Sequence, residues 1–175
     1  MTDKQTMTAR LLVAVNDELG WNAVEHEDGD LEFVADAGFR TWIGNYAPGD
    51  PEYLRLWTGF GLAGFLEQAG ASLDASVPEV QLRVLAGAAR LSRRLKGAKV
   101  LALPEDDRLN VSVECVVAGA DRMPSVDHLS AILPRMLSML TTGVFEFQEE
   151  MVLAGLEASG VPDIPEDALR SGPPS

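Results

Sequence analysis

One cysteine in 175 residues leaves no partner for an intramolecular disulfide, so the fold must stand on its packing alone. Histidine is almost as scarce. His26 and His128 are the only two, which removes paired metal-spaced histidines and leaves general-base chemistry to carboxylates. Basic residues are in deficit, 14 against 27 acidic ones, and the resulting net charge of −13 repels phosphate backbones. Nucleic-acid binding by general electrostatics is therefore not expected. Nothing approaches the roughly 18 unbroken apolar residues of a membrane span, and MTDKQTMTARLLVAVNDELGW lacks the apolar stretch and cleavage site of an export signal. The reading is a cytoplasmic protein with no membrane contact. There is no phosphate loop, no Gly-x-Ser-x-Gly elbow and no solenoid repeat. Accordingly no catalytic residue, cofactor or metal ligand is assigned, and the chain reads as a non-enzyme.

What is present suffices for a single core. Hydrophobic residues make up 46% of the chain, and a chain of this length buries about 70% of its unfolded surface. Residues 1–158 are expected to form one α+β domain, and the Pro/Gly-rich SGVPDIPEDALRSGPPS region, 159–175, a disordered tail. Met7, Leu11, Leu12, Val15 and Leu19 share one helical face closed by Gly20. Two extended runs follow around Asp28-Gly29, with Glu25, Glu27, Asp28 and Asp30 as a solvated tip. Ser76-Val77-Pro78-Glu79 has capping-box spacing before a stripe of Val80, Val84, Leu85, Ala88, Leu91 and Leu95. Six basic residues and no acidic one lie between Arg83 and Lys99, where the helix C-terminal dipole favours cations. A second hairpin, AKVLALPEDDRLNVSVECVVAG, sets Cys115 on its apolar side. Leu133, Leu137, Leu140, Val144, Phe147 and Met151 then form the seam of a long helix, with Met136, Met139 and Phe145 off it; Pro134 starts or kinks this helix.

The stretch WIGNYAPGDPEYLRLW carries large side chains at both odd and even positions, which an ordinary half-buried hairpin does not need. Pairing Phe39 to Tyr46 with Tyr53 to Phe60 places Phe39 opposite Phe60 and Ile43 opposite Leu56 on one side. The other side then has Trp42 opposite Trp57 and Tyr46 opposite Tyr53. The first face is core. The second, if fully buried by a neighbour, would offer roughly 600–1,000 Å². One of the protein's own helices, a second subunit or a client segment could cover it.

One enzyme-like pattern remains. Gly59-Phe60-Gly61-Leu62-Ala63-Gly64 matches the dinucleotide fingerprint after a predicted strand, with Glu79 about 20 residues on. That fingerprint works inside a parallel βαβ unit, whereas the neighbours here read as antiparallel hairpins. Glycines for a tight strand-to-helix turn are the alternative.

The segments GDLEFVADAGFRTWIGN with PEYLRLW, AKVLALPEDDRLNVSVEC and LPRMLSMLTTGVFEFQEEM, in this order, resemble the type III secretion chaperone-like fold shared with the bacterial YbjN family. The resemblance implies an antiparallel sheet of about five to six strands with helices packed on it, in an α-β-β-β-α-β-β-α arrangement. It also implies a homodimer that holds an extended or apolar segment of a partner protein. The expected function is thus a chaperone-like or scaffolding module whose partner-binding residues are Trp42, Tyr46, Tyr53 and Trp57. A small-ligand or dinucleotide-binding protein using the Gly59-Gly61-Gly64 turn is the alternative.

Overall fold

The computed structural model describes residues 3–46, 49–71, 73–117 and 123–158. Segment 159–175, expected as a tail, lies outside the described residues. The first helix opens as α1, Asp3–Leu12, and widens into a π-turn over Val13–Glu18. Asn16 explains where the chain goes next: its side chain donates to the Ala23 carbonyl and accepts from the Ala23 N–H, holding the chain as it leaves the helix past Gly20. Strands β1 (Val24–Glu25), β2 (Leu31–Val34), β3 (Arg40–Tyr46) and β4 (Asp50–Gly61) follow. Then come α2 (Leu62–Ala69), α3 (Pro78–Arg94), β5 (Ala98–Leu103), β6 (Arg108–Val116) and α4 (Val126–Ala158). The strands form one antiparallel sheet in the order β1-β2-β3-β4-β6-β5. The first run has four strands rather than three, because the acidic hairpin adds its own short pair.

Burial alternates along the strands, as a one-sided sheet requires. Leu31, Phe33, Ile43, Leu54, Leu56, Val100, Leu109, Val111 and Val113 are buried against the helices. The seam of α4 crosses this layer: Leu133, Leu140, Val144, Phe147 and Met151 are buried as the periodicity predicts, and Leu137 is half-buried. Met136, expected off the seam, is buried too, because the helix is enclosed on more than one side. Pro134 sits inside α4 rather than at its start. Gly143 and Gly87 are the close-approach points. A Cβ on Gly143 would meet Val111 Cγ1 at 2.9 Å, and one on Gly87 would meet Met151 Cε at 2.6 Å.

Two local expectations fail. The capping box does not form: Val77 is the N-cap of α3, and Ser76 instead donates its hydroxyl and amide to Asp74 Oδ1 in a local turn that competes for it. Leu85, assigned to the buried stripe, is 44% exposed, with Gly87 taking its place against α4. The basic segment is more than a dipole-matched face. Arg90 pairs with Glu150, Arg94 with Glu146, and Arg83 donates to the Ala154 carbonyl, so three of the cations clip α3 to α4. The same helix occupies the middle of the free edge of β5. The Ser92 hydroxyl accepts from the Val100 N–H at 2.9 Å and donates to its carbonyl at 3.0 Å, which takes up the central residue's edge groups and disfavours an added strand there.

Candidate functional site

The outer face of the sheet is carried by residues out of phase with the buried ones. Along β4 these are Tyr53, Arg55 and Trp57; along β3, Arg40, Trp42, Gly44 and Tyr46; along β6 and β5, Glu114, Val116, Lys99 and Leu101. Exposure on this face is high for apolar side chains: Val34 is 61%, Leu101 52% and Val116 67% accessible. Among the described residues the α-helices lie on the opposite face and none of them covers it.

The register places the two strands as the side-chain pattern requires from Trp42 to Asn45. Trp42 lies opposite Trp57 and Ile43 opposite Leu56, but the ladder shifts after Asn45, and Tyr46 aligns with Asp50. The expected Tyr46 to Tyr53 strand pairing is thus broken. Asn45 accounts for the shift: its buried amide donates to Thr8 Oγ1 at 2.9 Å and to the Gly29 carbonyl at 3.1 Å, tethering the end of β3 to α1 and the acidic hairpin. The rings nevertheless meet. Trp42 and Trp57 stack with centroids 6.2 Å apart, and Tyr46 and Tyr53 make an edge contact at 5.1 Å. Phe39 and Phe60, on the core side, meet edge-on at 5.9 Å. Trp42, Tyr53 and Trp57 are half-buried against their neighbours and Tyr46 is 43% exposed, so the free area is smaller than four isolated rings would give.

Between the two pairs of rings sits Arg55, which the sequence reading passed over. Its guanidinium carbon lies 5.6 Å from the Trp57 ring centre, a cation–π contact of about 0.5–1 kcal/mol at an exposed site. The signal was available, since an arginine two residues from Trp57 on a strand must share its face. Glu114 completes the cluster by accepting from Lys99 Nζ at 2.8 Å and from the Tyr53 hydroxyl. Those two donors hold the Glu114 carboxyl below its ordinary range. Burial, together with the Glu114 hydrogen bond and charge, pushes the Tyr53 phenol up to about 12. A raised acid pKa keeps its full stabilisation below the unfolded value near 10 and loses it as pH climbs from there towards 12. The phenolate absorbance of Tyr53 at 295 nm is expected only near pH 12 in the native protein. Glu114→Gln is expected to bring it to lower pH; an unchanged titration curve would refute the contact.

Other candidates are scattered. Cys115 faces inward and burial pushes its thiol up, away from the nucleophilic thiolate. His26 meets Glu32 at 2.9 Å on the exposed hairpin, while His128 lies in the first turn of α4. Among the described residues no three His, Cys, Asp or Glu side chains converge as a metal site. Nor, among the described residues, is any helix long and apolar enough to cross a membrane. Gly59 and Gly61 end β4, and Gly64 lies within α2, but every strand pairing of β4 is antiparallel. The position an anion would take at the α2 N-terminus is filled by Asp107, whose Oδ1 accepts from the Ala63 N–H at 2.7 Å and whose carbonyl accepts from Leu62.

The chain matches no protein-family model and no curated protein. Its backbone is similar to solved structures. It superimposes on a chain of the HopA1–SchA chaperone–effector complex with a TM-score of 0.53 at 14% identity, covering 82% of this chain and 94% of that one. For a chain of the ExsC–ExsE complex the TM-score is 0.54 at 15% identity, with 85% and 96% covered. For YbjN from E. coli it is 0.50 at 11% identity, with 88% and 93% covered. The protein therefore has the secretion-chaperone-like α+β fold that its element order resembles.

Proposed function

We propose that this protein is a non-enzymatic, cytoplasmic protein-binding module, a chaperone or scaffold that holds an extended apolar segment of a client on the outer face of its sheet. The observation that carries this reading is that Trp42, Tyr46, Tyr53 and Trp57 gather on a sheet face that no helix among the described residues covers. Tryptophan, tyrosine and arginine are the residue types that dominate binding hot spots, and here they are adjacent. The likeness to a chaperone–effector complex supports the same reading at the level of fold. A client would be held face-on, because Ser92 takes up the edge groups of Val100 in mid-β5 and β1 offers only two residues at the other edge. A groove of about 380 Å³ continues from Trp42 and Arg40 past Phe60 and Phe65 to Phe145 on α4, giving a client, or a second subunit, an apolar path off the strip.

The test is Trp57→Ala combined with Tyr46→Ala, one ring from each strand. Crosslinking in native cytoplasm followed by capture is expected to recover a discrete client with the wild type, and at least about tenfold less with the double variant. Light scattering on the same samples reads the homodimer this function implies. A double variant that keeps its fold, its assembly and its client would remove the strip from the mechanism. The second reading, dinucleotide binding at Gly59-Gly61-Gly64, predicts heat on titration with NAD(H); none is expected, given the carboxylate of Asp107 at that helix start.

A further inference from the structure

We infer that Arg55 is the specificity anchor of the aromatic strip and takes a carboxylate of the client, so that the segment held there carries Asp or Glu flanked two positions away on each side by apolar residues. This rests on the protein-binding reading and names the partner's chemistry. Arg55 faces outward between Tyr53 and Trp57, and its side chain is 37% exposed, so the guanidinium reaches the surface. Its buried Nε makes no hydrogen bond and only a long ion pair with Glu114 Oε1 at 3.7 Å, so a client would meet the exposed end of the guanidinium rather than Nε. The other oxygen of Glu114, Oε2, is held by Lys99 at 2.8 Å, which keeps the carboxylate turned toward β5.

Of the other cations of this face, Lys99 is hydrogen-bonded to Glu114, and Arg40 pairs with Glu32 at 3.6 Å much as Arg55 does with Glu114. Arg55 alone among them combines a ring contact, an unsatisfied buried N–H and an accessible guanidinium. The Trp57 ring, 5.6 Å from the guanidinium carbon, limits where the guanidinium can go, and its planar fork can bind a carboxylate through two parallel hydrogen bonds. Spacing then sets the motif. Side chains two apart on a strand are about 6.6 Å apart, so an extended segment lying along β4 puts one residue over Tyr53 and Tyr46, the next of the same parity over Arg55, and the next over Trp57 and Trp42. The net charge of −13 does not forbid an acidic client, since charges beyond about 8 Å are screened at physiological salt. Asp30, whose Oδ2 lies 3.6 Å from where a Gly44 Cβ would stand, together with Glu32 and Glu114 limits how many acids such a segment carries on this side.

The experiment pans a random dodecapeptide phage library against the immobilised full chain and measures synthetic copies of the enriched peptides by fluorescence anisotropy. Enriched sequences are expected to share an acidic residue with Leu, Ile, Met, Phe or Trp at two positions before and after it. Arg55→Gln is expected to weaken them at least about tenfold, Arg55→Lys by less, and changing the peptide's acid to its amide is expected to cost nothing further in the Arg55→Gln background. Peptides that tolerate Arg55→Gln or the acid-to-amide change, yet are lost with Trp42→Ala/Trp57→Ala, would overturn the role of Arg55 and leave the strip standing. Peptides that survive Trp42→Ala/Trp57→Ala, or a library that yields no binder, would overturn the protein-binding reading and this inference with it.

Discussion

Phe147→Ala is expected to lower stability by about 3–5 kcal/mol, the range for deleting a fully buried ring, and the melting midpoint by about 6–20 °C for a chain of this size. Phe147 has no accessible surface. Its ring lies 5.8 Å from that of Phe65 on α2, and a Cβ on Gly87 of α3 would stand 3.8 Å from it. One side chain therefore joins α2, α3 and α4 beneath the sheet, and how far the neighbouring Met151 can move into the space sets where in that range the loss falls. Marginal stabilities of about 5–15 kcal/mol make such a loss a large fraction of the total. Phe145→Ala supplies the control. It lies two positions away on the same helix, is 48% exposed, and makes the same change in helix propensity, so it is expected to cost no more than about 0.5 kcal/mol. Equal melting shifts for the two variants would mean that Phe147 is not where the three helices meet.

That side chain also shows what periodicity can and cannot deliver. Steps of three and four residues mark Phe147 as core from the sequence, because a helix buried along one stripe must repeat at that spacing. The sheet was legible for the same reason. Ile43 and Leu56 alternate with the tryptophans, and only one register puts both pairs face to face, as the ladder from Trp42 to Asn45 has it. What escaped was set by contacts distant in sequence. Met136 is buried by elements that no local window contains, and the shift at Tyr46 depends on Asn45 reaching Thr8 and Gly29. Ser76 was legible as a cap, but Asp74, two residues earlier, claims it first. The basic run read as a solvated face because Glu146 and Glu150, its partners, are more than fifty residues on. At the strip the rings were visible and the arginine was not, since a search for large apolar residues passes over a cation that stacks on one of them.

Gly44→Ala is expected to disturb the strip without removing any of its rings, and so separates their arrangement from their mere presence. Strand propensity alone predicts the opposite sign, because glycine inside a strand costs about 0.5–1 kcal/mol relative to alanine. The surroundings decide otherwise. A Cβ at position 44 would stand 2.8 Å from Trp57 Cζ3 and 3.3 Å from Cη2, so the indole lies on the bare backbone of β3 and the added methyl occupies its seat. Trp57 cannot retreat sideways without giving up its stack on Trp42, 6.2 Å away at an interplanar angle of 18°, and the guanidinium of Arg55 that rests over it. Overpacking of this kind costs about 1–3 kcal/mol, which outweighs the propensity gain. The expected result is a lower melting midpoint, a red-shifted tryptophan emission as the indole moves into water, and loss of the client captured by the wild type. Trp21 contributes a constant background to that emission, since it is stacked on Phe33 at 4.6 Å away from the strip. A Gly44→Ala protein that melts higher with unchanged emission would place the indole elsewhere, and the face-on seat for a client would lose its floor.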